Sequence, residues 1–79
     1  MIKMKKEIVI EIFNDILDLE MGLISDNSSP EDFPEWDSMA NVNIMLALEE
    51  KFNIKFNLDD IEDAKNVSDF INLVDKYTQ

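Results

Sequence analysis

Apolar side chains return every three or four positions near the start of this chain. Ile8, Val9, Ile12, Phe13, Ile16 and Leu17 form one stripe, and Glu7, Glu11, Asn14, Asp15 and Asp18 fall outside it. The spacing predicts an amphipathic helix over about residues 3 to 20. Gly22 is its expected stop, because glycine takes the left-handed conformation that closes many helices. The polar stretch "SDNSSPEDFPE" then breaks all periodicity and contains both prolines. It predicts a long loop over about residues 22 to 37, of a length that often carries function. Leu23, Ile24 and Phe33 are its expected anchors to a core.

Helical spacing resumes over about residues 38 to 53, with Asp37 or Ser38 placed to cap the first turn. A short helix is expected at "LDDIEDA", about residues 58 to 64, and a last one over about 67 to 77. Asn66 followed by Asp69 resembles a capping box, with Asp in place of the usual Glu. Val67, Phe70, Ile71, Val74 and Tyr77 form the inward stripe of that last helix. "FNIKF" alternates like a strand but has nothing to pair with, so it reads as an extended connector. The pattern predicts an all-α, four-helix bundle of three longer helices and one short one, in a single domain spanning residues 1–79.

The second helix has more apolar surface than one stripe requires. Ile44, Met45, Leu48 and Phe52 share one face at ~100° per residue, and Met39, Val42 and Leu46 lie on another. Either the bundle wraps this helix on two sides, or the second strip is exposed for docking. Acids rim that strip at Asp37, Glu49 and Glu50, which suits a partner with a hydrophobic groove and a basic rim.

Composition narrows the chemistry. Eighteen acidic residues against seven basic ones give a net charge of −11. Such a chain is repelled by nucleic acid and by anionic membranes. The absence of Cys and His removes thiol nucleophiles, thiolate metal sites, disulfides and the commonest general base. Asp59, Asp60, Glu62 and Asp63 lack the glycine and the spacing of a calcium loop, so they read as a solvated acidic helix and no metal site is expected. The N-terminal stretch does not read as a leader, since Glu7 and Glu11 interrupt its apolar part. No apolar run reaches the ~20 residues of a membrane span. A cytoplasmic, monomeric protein without enzymatic activity of its own is expected, since so short a chain has little room for a substrate cavity and catalytic machinery.

Ser38 stands where the second helix begins, with no residue placed to activate it. Two roles remain: a helix cap, or an acceptor modified by another enzyme. In the second case an anionic ester would sit at a helix N-terminus, where free N–H groups and the macrodipole favour negative charge.

The stretches "DSM", "VNIMLALEEKFNIKF" and "DDIEDAKNVSDFINLV" together resemble the acyl carrier proteins over about residues 5 to 77. The resemblance implies that Ser38 receives 4′-phosphopantetheine from coenzyme A through a Mg²⁺-dependent phosphopantetheinyl transferase. It makes Asp37 part of the transferase recognition motif. Met39, Val42 and Leu46, with Glu49 and Glu50, become the surface facing partner enzymes: acyl-loading enzymes, acyltransferases or synthases with basic docking surfaces. Ile44, Leu48, Phe52 and Phe56 would line the core or an acyl-chain cavity.

The resemblance implies an acyl carrier, with fatty acyl, polyketide and amino-acid cargo all open. A D-alanyl or aminoacyl carrier is the alternative, as is a binding-only module of the same fold without the arm. Ala40 and Asn43 stand where the fatty-acid carriers usually place acids, and Trp36 where a small residue is common. These departures resemble specialised stand-alone carriers more than the housekeeping one. Trp36 itself reads as an anchor of the loop end, with contact to the arm or a partner as the alternative.

Overall fold

The computed structural model describes residues 4–20 and 22–78. Helix α1 spans Lys5–Leu17, α2 Ser38–Phe52, α3 Leu58–Asp63 and α4 Val67–Tyr77. One turn of 3₁₀ helix, Pro30–Asp32, interrupts the long loop. Among the described residues there is no strand, and Ile54–Asn57 is an irregular connector as its isolated pattern implied.

The first helix is shorter than its periodicity predicts. Its expected start at residue 3 lies outside the described residues. Its end comes at Asp18, in the left-handed region at φ 54°, with the Asp18 N–H bonded to the Asn14 carbonyl. The Leu19 N–H returns to the same carbonyl at 3.1 Å. This closure satisfies the last turn before the chain reaches Gly22, which lies farther along at φ 90°. Helix α2 closes the same way at Asn53, φ 55°, whose N–H bonds the Glu49 carbonyl. The Ile54 N–H joins it at 3.0 Å. Asp and Asn fill these positions because their short polar side chains tolerate the left-handed conformation.

Val9, Phe13 and Leu17 of α1, Ile44 and Leu48 of α2, and Val67, Phe70 and Val74 of α4 are buried together. The loop adds Ile24 and Trp36. Phe13 meets Trp36 edge-on at 4.9 Å between ring centroids, and meets Phe70 at 5.5 Å. Such pairs contribute about 0.5–1.5 kcal/mol each beyond their area. Trp36 therefore anchors the loop end, as read from sequence. Phe33 packs half-buried against the core. Leu23 does not anchor: it is 56% exposed, and Ile24 beside it takes the inward place.

Asn14 departs from expectation in the other direction. It shares a helix face with Ile10 and Leu17, both packed on the core, and is itself buried rather than outward-facing. Among the described residues its Oδ1 has no hydrogen-bond partner. An orphaned buried acceptor costs about 1–3 kcal/mol.

Helix α4 begins with every early donor paired. Asn66 Oδ1 accepts the Asp69 N–H at 2.9 Å. The Asn66 carbonyl accepts the Phe70 N–H at 3.4 Å, while Val67 and Ser68 donate to the Ser28 and Asp26 carbonyls of the long loop at 3.0 and 2.9 Å. Only half of the expected capping box forms. The Asp69 carboxylate passes Asn66 and accepts the Lys65 N–H at 2.7 Å.

Helix α3 buries no residue fully. Polar contacts tie it and its connector to the rest. Tyr77 donates its hydroxyl proton to the Asp60 carboxylate. Lys76 Nζ lies 3.6 Å from the same carboxylate. Glu49 Oε2 accepts the Phe56 N–H at 2.8 Å.

Candidate functional site

The loop end is built in short steps that deliver Asp37 and Ser38 to one place. The Asp32 carboxylate accepts the Ser29 N–H at 3.1 Å, closing the 3₁₀ turn on itself. The Trp36 N–H bonds the Phe33 carbonyl at 3.1 Å, making a tight turn around Pro34. The Trp36 ring is then 4% exposed, gripped by Phe13 and Phe70.

Asp37 is the cap of α2. Its backbone is extended, and its Oδ1 accepts the Ala40 N–H at 2.8 Å. Its carbonyl accepts the Asn41 N–H at 2.9 Å. Ser38 is therefore the first helical residue, and the alternative that it serves as the cap is excluded. Ser38 is exposed. Among the described residues nothing hydrogen-bonds its hydroxyl, and nothing accepts from the N–H groups of Ser38 or Met39. Two open donors and the positive end of a fifteen-residue helix surround a free hydroxyl.

An open pocket of ≈ 370 Å³ lies against this hydroxyl, lined by Pro30, Trp36, Asp37, Ser38, Asn41 and Ala64. Asp37 is the one ionisable residue among them besides the serine itself, and its Oδ1 already accepts the Ala40 N–H. Asn41 is tied to Trp36, whose indole Nε1–H donates to Asn41 Oδ1 at 3.0 Å. Reasoning from sequence did not find Pro30, Asn41 or Ala64. Asn41 had one available signal, its place three residues after Ser38 on the same helix face. Pro30 and Ala64 reach the pocket only through tertiary folding.

The two apolar stripes of α2 part company. Ile44 and Leu48 are fully buried, and Phe52 and Phe56 pack partly against the core. Met39, Val42 and Leu46 are 74%, 48% and 51% exposed, so the bundle does not wrap this helix on two sides. Glu50 faces solvent beside them. Glu49 is half-buried and spends one carboxylate oxygen on the connector, a structural duty its sequence position does not announce. Among the described residues, no three acidic side chains converge as a metal site would require. No described helix is long and apolar enough to cross a membrane.

A phosphodiester on the Ser38 oxygen fits this geometry. The hydroxyl is accessible and the adjoining donors are open. The phosphopantetheine attachment site family matches residues 7–74 of the chain. The solution NMR structure of holo acyl carrier protein from Geobacter metallireducens superposes with a TM-score of 0.83 and 32% sequence identity, covering 92% of this chain and 84% of that one. No curated protein matches the chain.

Proposed function

Because this chain belongs to the phosphopantetheine-attachment family and has the acyl carrier fold, we propose that Ser38 is the residue that bears its 4′-phosphopantetheine. The protein is a carrier and not an enzyme, and its cofactor is that covalent group. When attached, the group supplies a terminal thiol, the function that a sequence without cysteine lacks.

The observation that carries the assignment is the open first turn of α2. An exposed hydroxyl stands beside two backbone donors that have no partner among the described residues, on a helix already capped by its neighbour Asp37. The chain's own contribution is positional. Trp36 holds the loop end against the core, and Asp37 keeps the first turn formed without consuming the Ser38 and Met39 donors. Those donors then meet the phosphate charge at the site of attachment.

The cargo is an acyl or aminoacyl group held as a thioester and shown in turn to several enzymes. Tethering keeps it at high effective concentration wherever the carrier docks. The partners are a phosphopantetheinyl transferase and acyl-handling enzymes with basic docking surfaces. The net charge of −11 and the exposed Met39, Val42 and Leu46 support this. Asp37 and Glu50 supply the acidic rim. The uncharged Ala40 and Asn43 in the first half of α2 favour a specialised carrier over the housekeeping fatty-acid one, working in the cytoplasm.

Co-expression with a broad-specificity transferase, followed by intact mass measurement, tests the assignment. The wild type gains one phosphopantetheine and Ser38→Ala gains none. An unmodified wild type would leave a binding-only module, and an adduct on Ser38→Ala would move the site elsewhere.

A further inference from the structure

We infer that Asn41 holds the prosthetic arm in the pocket beside Ser38, and that Trp36 is the positioning residue that turns the Asn41 amide toward it. The inference rests on Ser38 being the attachment site. It begins with a donor that has only one use. An indole N–H can donate and cannot accept. Trp36 is 4% exposed, and its Nε1–H finds its acceptor in Asn41 Oδ1 at 3.0 Å. The reverse amide orientation would set two donors against each other and leave the indole unpaired. The bond therefore fixes which end of the Asn41 amide faces the tryptophan.

What the side chain has left is its Nδ2 group, with two N–H donors. No described residue accepts from them. Asn41 lies one turn after Ser38 on the same side of α2, and both line the same open pocket. Its other walls include the ring of Pro30 and the methyl of Ala64. The volume, ≈ 370 Å³, falls within the range of about 300–1,000 Å³ typical of ligand clefts. Pantetheine alternates apolar segments with secondary amides. An amide carbonyl of the arm accepts from Asn41 Nδ2, and the apolar segments rest on Pro30 and Ala64. The arm is tethered at one rim of this pocket, which makes it the occupant of highest local concentration. A carrier built this way keeps its unloaded arm near the surface of the bundle between visits to partners.

The test is NMR on isotopically labelled protein, with the mass of each sample measured first. In the loaded wild type, the Asn41 side-chain amide resonances shift relative to the unloaded protein, and NOEs join the arm to the Ala64 methyl. Asn41→Asp keeps an acceptor for Trp36 but has no amide donors. It retains the Trp36 indole resonance and loses the arm–Ala64 NOEs, so the arm relaxes as a free chain. Trp36→Phe keeps an aromatic ring in the core and frees the Asn41 amide to rotate, which weakens the same NOEs. A loaded wild type with unshifted Asn41 amide signals and no NOE to Ala64 overturns the inference and leaves the Ser38 assignment intact. A wild type that never gains the arm overturns both. The loaded and unloaded wild-type spectra decide the question even if a variant fails to fold.

Discussion

Helices α2 and α4 start with the same chemistry and finish their first turns differently. Each is capped by a short Asx side chain that accepts the third helical N–H, from Asp37 in α2 and from Asn66 in α4. At α4 the two preceding donors are taken by the Asp26 and Ser28 carbonyls of the long loop. At α2 the corresponding donors, on Ser38 and Met39, have no described partner. One end is closed by the chain itself, and the other is formed but open. The same cap serves both, so capping alone does not distinguish a structural end from one available to an anion. The first two donors make that distinction.

The contrast can be broken by substitution, and the largest expected effect is in packing. Phe70→Ala removes a fully buried ring one turn into α4 and should cost about 3–5 kcal/mol in urea denaturation. Met39→Ala, in the first turn of α2, should cost less than about 0.5 kcal/mol. Equal losses would mean that the α2 end is also part of the closed structure. Asn14 sharpens the comparison from another side. Its unpaired oxygen is buried, whereas the unpaired donors at Ser38 and Met39 lie on an exposed turn that water can reach. Asn14→Leu should therefore stabilise the protein by roughly 1–2 kcal/mol, raising its thermal midpoint.

A more direct test uses proline. Ser68→Pro and Met39→Pro place the ring at the same second helical position, with similar local strain. Only Ser68→Pro deletes a hydrogen bond, the one to the Asp26 carbonyl. It should be the less stable of the two by about 1 kcal/mol, and no difference would refute the asymmetry. The smallest effect belongs to the far end of α4. Tyr77 has its pKa raised above the ordinary 10.0, chiefly because its hydroxyl donates to the Asp60 carboxylate and secondarily through desolvation. A proton held more tightly in the folded state stabilises the fold below the unfolded pKa. That contribution fades as pH rises through the folded value. Tyr77→Phe should flatten the alkaline limb of stability above pH ~10 and leave both helix N-termini unchanged in amide exchange.

Helix number, order and approximate bounds were legible because the stripes from Val9 to Leu17 and from Val67 to Tyr77 repeat cleanly at helical spacing. The inward aromatics Phe13, Phe70 and Trp36 were legible too, because their size leaves few other places for them. The early end of α1 was not. It depends on Asp18 adopting a left-handed backbone, which aspartate does only in suitable context. Asn14 escaped because polarity argues for solvent while its helix face argues for the core. At the site, Asp37 and Ser38 stood out as a motif, but the choice of cap between them needed coordinates. The open donors of α2 were invisible, since the closed counterparts in α4 depend on loop carbonyls some forty residues earlier. Asn41 had only its spacing of three residues from Ser38 to mark it, and its tie to Trp36 needed the fold.

The chain has a single tryptophan, and the fold buries it directly beneath the turn that presents Ser38. That placement makes the molecule its own optical ruler. Since the sequence holds no cysteine, the arm would bring the only thiol, and a maleimide dye would mark one address. Energy transfer from Trp36 to that dye would then follow the distance between the anchored floor and the travelling end as the carrier meets each partner. No reporter needs to be engineered into the fold.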